Sequence, residues 1–156
     1  MIKINLGCAS DYREGWINVD IDRKSKADVY ADLNGRFPFK DNYADKIIAN
    51  HIYEHIDNPY HFLSEIVRIC KPNAEIHICS PFWNNEKTFA HPEHKRGMTF
   101  RTLTNETIMK GYTVEKINIK PTSVGKFIPS PIRNKLSYFL SGIIEEVEFI
   151  LTKNGK

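Results

Sequence analysis

The strongest constraint on this chain is a rhythm of short apolar runs. IKINLGC, INVDI, ADVYA, DKIIAN and EIHICS follow one another between residues 2 and 80, separated by turn-forming or helix-periodic stretches. Strands that alternate with crossovers in this way build a parallel sheet covered by helices. The stretch NPYHFLSEIVRICKP is the clearest helix: Phe62, Leu63, Ile66, Val67 and Cys70 recur at helical spacing, Asn58 can cap it, Pro59 suits its first turn and Pro72 follows its end. TVEKINIK and EVEFILTK add two later strands, making seven in a doubly wound α/β sheet. A polar, histidine-containing loop is expected after SPFW, then a short helix in LTNETIMKGY with Thr104 as cap and Gly111 as stop. A last helix is expected from Ser130 and Pro131, with Ile132, Leu136, Phe139, Leu140 and Ile143 on one face.

At 156 residues the chain is expected to form a single domain, 1–156, with 123–144 as an insertion between the last two strands. Hydrophobic residues at 41% and charged residues at 26% exclude a disordered or disulfide-stapled chain. The formal charge of +3 is too mild to call for a nucleic-acid partner. Cys8, Cys70 and Cys79 are odd in number and lack a C-x-x-C spacing, which fits a reducing compartment. With no signal-peptide run and no long apolar stretch, the expected location is the cytoplasm.

The stretch INLGCASDYREGWINVDID is where chemistry enters. Only about a dozen residues separate Gly7 from Asp20, near the lower limit for a parallel crossover. Gly7 suits a turn at a strand end, but G-C-A-S is not G-x-G-x-x-G, so the phosphate cradle of a dinucleotide site is missing. Asp20 and Asp32 fall at successive strand ends, each followed by an apolar residue, Ile21 and Leu33. Carboxylates so placed can accept ribose hydroxyls and an adenine amino group, with the apolar neighbours as walls for the base. Asn50 falls at a fourth strand end, so four segments should meet where the strand order reverses.

INLGCAS, GWINVD, ADL, FPF, DKIIANHIYEH and SEIVRICKPNAEIHI, in that order, resemble the class I S-adenosylmethionine-dependent methyltransferases, specifically a small, type 11-like branch. The resemblance is close from Ile2 to about Phe82 and loose over HPEHKRGMTFRTLTNETI. It implies a Rossmann-like, three-layer α/β/α fold whose last strand is reversed, and S-adenosylmethionine as cofactor. It also implies that Gly7, Cys8 and Ala9 lie against the methionine part, Asp20 on the ribose, Asp32 and Leu33 at the adenine, and Asn50 with His51 near the amine and sulfonium. Two positions depart from the pattern: Ala9 stands where the branch has a second glycine, and Asn73-Ala74 where it has a glycine pair. Asn tolerates the left-handed conformation that glycine would supply.

His51, His91 and His94 are the candidate catalytic residues, a histidine being suited to take a proton from an acceptor hydroxyl. HIYEH also fits the H-x-x-E-H zinc-protease signature, but it follows directly on a strand, which should send its two histidines in different directions. NHIY lacks both prolines of the N-P-P-Y motif associated with nucleobase and amide acceptors, which leaves oxygen or carbon acceptors or an amine of another kind; the resemblance implies a small-molecule or saccharide acceptor, expected at oxygen. The competing functions are a non-catalytic adenosyl-ligand or partner-binding module on the same fold, and a nicotinamide-dependent oxidoreductase. For the late amphipathic helix, packing on the sheet or on a sister subunit of a homodimer is expected over a peripheral membrane contact.

Overall fold

The computed structural model describes residues 1–104 and 110–155. β1 (Lys3–Leu6), β2 (Ile17–Asp20), β3 (Val29–Tyr30), β4 (Ala44–Asn50), β5 (Cys70–Pro81), β6 (Tyr112–Pro121) and β7 (Ile144–Lys153) form one sheet in the order β3-β2-β1-β4-β5-β7-β6. β7 is antiparallel to both neighbours, whereas the other pairs are parallel. The doubly wound sheet and its reversed last strand are therefore as expected, and the order reverses between β1 and β4.

Register sorts the side chains into two unlike faces. On one, Ile4, Ile47, Ile76 and Leu151 lie side by side, and Leu6, Ala49, Ile78 and Phe149 form the next row, all fully buried. Helix α1 (Pro59–Ile69) covers this face with Phe62, Leu63, Ile66 and Ile69, each contributing about 2 kcal/mol by burial. Asn58 caps α1 by accepting from the Tyr60 and His61 amides, as its sequence position suggested. Glu65 and Arg68 on the same helix clamp the FPF loop: Glu65 Oε2 accepts from the Phe37 amide at 2.8 Å, and Arg68 donates to the carbonyls of Phe37 and Phe39.

The opposite face is polar. Over β1 and β2 the loop from Cys8 to Trp16 lies in place of a helix, tied down by buried asparagines on the two strands. Asn5 donates to the Asp11 carbonyl, while Asn18 donates to the carbonyls of Arg13 and Trp16 and accepts from the Arg13 amide. These side chains satisfy loop backbone that a helix would have satisfied internally. Across β4, β5 and β7 the same face carries polar contacts, an ion pair of Lys46 with Glu75 at 2.9 Å and a hydrogen bond between His77 and Glu148 at 3.0 Å. Strands of a parallel sheet are usually apolar on both sides; here they alternate because one side is left half-exposed.

Three expectations for the later chain need revision or fall outside. The polar stretch after SPFW contains a short helix, α2 (Glu86–Ala90), capped by Asn85. The last helix, α3 (Ser130–Leu136), stops well short of Ile143. Asn84 from outside the segment donates to the carbonyls of Ser137 and Leu140, occupying acceptors that a continuing helix would use. The helix expected over LTNETIMKGY rests on residues 105–109, which lie outside the described residues.

Candidate active site

A cleft of about 340 Å³ opens at the carboxyl ends of β1 to β4, where the strand order reverses. Gly7 at the end of β1 has φ +69, and a Cβ there would stand 2.9 Å from the Ile52 side chain, so this turn admits glycine alone. Ala9 follows at φ +40, a strained value for a residue with a Cβ and a physical reason for the glycine the resemblance expects there. Asn73, the other departure, sits at φ +64, which asparagine tolerates.

Asp20 is nearly buried at the base of the cleft, its Oδ2 accepting from the Ala9 amide at 2.6 Å and its Oδ1 from the Asp22 amide at 2.8 Å. A carboxylate offers about four acceptor positions, so further capacity remains. Asp32 Oδ1 accepts from Asn34, and its Oδ2 has no donor among the described residues. Ile21, 66% exposed, and buried Leu33 border the same space. Asp20, Asp32 and Glu93 line the cleft and no lysine or arginine does, among the described residues. Such a wall attracts a cation and repels phosphates.

Not every expected residue is here. Cys8 is buried behind the turn, with its Sγ directed at the Lys26 carbonyl. Asn50 shares strand parity with Ile48 and lines a separate groove on the polar face, with Cys79, Asn118 and Glu148. Burial and the neighbouring glutamates push the Cys79 thiol up to about 12, so it is not a thiolate at neutral pH.

His51 reaches the cleft because its φ of +52 breaks the strand alternation. Its Nδ1 lies 3.2 Å from Glu54 Oε1, and its Nε2 lies 3.5 Å from Glu146. The hydrogen bond to Glu54 holds His51 above the usual histidine value despite the opposing effect of burial. Burial would raise the Glu54 carboxyl, but hydrogen bonds from His51, its own backbone and Ser80 outweigh that and keep it ionised. His51 is thus an ion-pairing group more than a free base.

His55 was not among the candidates, yet it lines the cleft from the 3-10 turn Tyr53–His55. Its ring packs edge-on against His94 at 4.7 Å and His91 at 5.9 Å. Burial lowers it below the ordinary histidine value, opposed by Glu54 and reinforced by His94. His94 Nδ1 lies 3.1 and 3.0 Å from the carbonyls of Lys87 and Thr88, so the proton is on Nδ1. The Lys95 amide donates to the Glu54 carbonyl, and the Lys95 ammonium pairs with Asp57, strapping the HPEHKR loop over the turn. The two histidines of HIYEH diverge: His51 groups with Cys79 and Glu146, His55 with Glu54 and His94.

A family model described as a methyltransferase domain matches residues 8–78, the part of the chain that builds β2 to β5 and most of the cleft. Over those residues the chain is similar to methyltransferase domains, and its fold is that of S-adenosylmethionine-dependent methyltransferases. An S-adenosylmethionine-dependent methyltransferase of Archaeoglobus fulgidus is similar in fold at 18% identity and TM-score 0.70, over 97% of this chain and 85% of that one. One from Mesorhizobium loti is similar at 11% identity and TM-score 0.67, over 97% and 90%. The cyclase SpnF is similar at 12% identity and TM-score 0.67, over 99% and 74%, so the fold itself does not fix the reaction. No curated protein sequence matches the chain significantly.

The cleft suits S-adenosylmethionine, the cofactor that the resemblance implies. Two carboxylates can hold hydroxyl and amino groups, an exposed isoleucine offers an apolar surface to a flat base, and a lining without lysine or arginine among the described residues suits a sulfonium. Ile52, Asn34, Glu93 and His55 also line the cleft. For His55 the signal was the HIYEH motif itself, which a compact turn rather than a helix places at the rim.

Proposed function

We propose that this protein transfers the methyl group of S-adenosylmethionine to a small-molecule or saccharide acceptor, at oxygen. The observation that supports the reading is the convergence of Asp20 and Asp32, from different strands, on one cleft with no lysine or arginine in its lining among the described residues. Asp20 would hold the ribose, Asp32 and Leu33 the adenine edge with Ile21 against its face, and the Gly7–Ala9 turn the methionine part. When bound, the cofactor supplies an already activated methyl carbon, so the chain's main task is alignment, which can be worth roughly 7 to 11 kcal/mol.

A hydroxyl acceptor must also lose a proton. His55, kept in its neutral form near pH 7 by burial and bordering the cleft, is the best-placed base, with His91 and His94 packed around it. His51, tied to Glu54, orders the rim between the two halves of the site.

Calorimetric titration with S-adenosylmethionine, its demethylated product and NAD tests the cofactor part. Both adenosyl ligands should bind, Asp32→Ala should weaken both, and NAD should not bind. Failure of both adenosyl ligands would remove the proposal. Once an acceptor is in hand, His55→Ala should lower turnover at neutral pH more than it changes the acceptor KM; unchanged turnover would exclude His55 as the base.

A further inference from the structure

The segment between β6 and β7 breaks the rule that large apolar groups are buried. Phe127 is 89% exposed, Phe139 85% and Val124 67%, and Ile132, Tyr138 and Leu140 are exposed as well. This is not a loose tail. The base of the segment is pinched shut where the Thr122 amide and hydroxyl donate to the carbonyls of Ile143 and Gly142, at 3.0 and 2.6 Å. Gly125 packs so tightly on the Ile143 carbonyl that a Cβ would lie 1.9 Å from it. The exposed side chains therefore stand on a braced platform.

Charge in the same segment is one-sided. Residues 122–143 contain Lys126, Arg133 and Lys135 and no aspartate or glutamate. Those three cations equal the +3 excess of the entire chain, so the remaining residues are balanced. The nearest acids by sequence, Glu145 and Glu146, are engaged by Lys87 and Lys120.

These two facts choose among occupants. A second copy meeting this surface by two-fold symmetry would set its three cations against the same three with no acid of the segment to pair them. An anionic bilayer answers both features at once, accepting aromatic side chains at the acyl boundary and lysines at the headgroups. No described helix is long and apolar enough to cross a membrane. We propose that the excursion between β6 and β7 docks the protein on the surface of an anionic membrane, with Phe127 and Phe139 inserted and Lys126 and Lys135 facing the headgroups. The contact is peripheral, and it is independent of which acceptor the site takes.

Co-sedimentation of the full chain with vesicles tests this, using phosphatidylcholine alone and phosphatidylcholine containing about 30 mol% phosphatidylglycerol. The anionic vesicles should carry down the protein far better than the neutral ones, and binding should weaken as salt rises. Lys126→Gln and Lys135→Gln should each lower the partition about fivefold, and Phe127→Ser with Phe139→Ser by more than about tenfold. Unchanged melting of the variants by circular dichroism keeps the comparison one of surface and not of folding. Equal partition to both vesicle types, or an unaffected double phenylalanine variant, would overturn the proposal. So would sedimentation equilibrium that shows a dimer dissolved by the same double variant, since the patch would then belong to a second copy.

Discussion

Two stretches of the rim at the carboxyl ends of the strands depart from ordinary globular chemistry in opposite ways. At the β1–β4 switch point polar groups are drawn inward: Asp20 and Glu54 are buried and hydrogen-bonded to amides, a hydroxyl and an imidazole. Between β6 and β7 apolar groups are turned outward on a braced platform. Burying a carboxylate or exposing a phenylalanine is unfavourable for folding alone, so each marks a place shaped by something besides the core. The first has the form of a small-molecule cleft and the second of a surface contact.

The contrast predicts that the cleft should be intolerant and the excursion permissive. The largest effect belongs to Gly7→Val, which combines a positive φ with a contact on Ile52 and should cost about 3 kcal/mol, read as a lowered urea midpoint and lost adenosyl binding. A midpoint within error of the parent would contradict the tight turn. Asp20→Ala strips the acceptors from the Ala9 and Asp22 amides, and a loss of about 2 kcal/mol is expected in the same assay.

Ala9→Gly should move the other way. Relief of left-handed strain outweighs the added freedom of the unfolded glycine, for a net gain of about 0.5 kcal/mol and no loss of cofactor affinity. His51 supplies a pH signature. Because its folded value is raised, its pairing with Glu54 stabilises fully below the ordinary histidine value of 6.5 and is lost as pH rises through the raised value. Denaturation from pH 6 upward should show this decline, and His51→Gln should remove it. The smallest effect is at Phe139→Ser, which touches no core and should leave stability within about 0.5 kcal/mol. A larger loss there would mean the excursion is held by contacts of that ring, and the contrast would fail.

Much of the cleft could be read before the coordinates. Gly7, Asp20, Ile21, Asp32 and Leu33 border it because each stands at or just beyond a strand end, and strand ends are visible as the limits of apolar runs. Asn50 borders a separate groove for a reason also present in the sequence: with period two it shares a face with Ile48 and not with Ala49. His55 was hidden because a 3-10 turn, not a helix, follows β4, and nothing local in HIYEH distinguishes them.

Local pattern by itself determined the strands, the long helix with its Asn58 cap, and the order of motifs that carries the family resemblance. Those depend on periodicity and near-neighbour hydrogen bonds, which act over a few residues. Only the tertiary structure decided that α3 stops at Leu136, because Asn84 takes the carbonyls of Ser137 and Leu140 from more than fifty residues away. It also decided that two strand asparagines would hold a loop in place of a helix, and that His55, His91 and His94 would pack together. Hydrogen bonds between distant segments have no period along the chain.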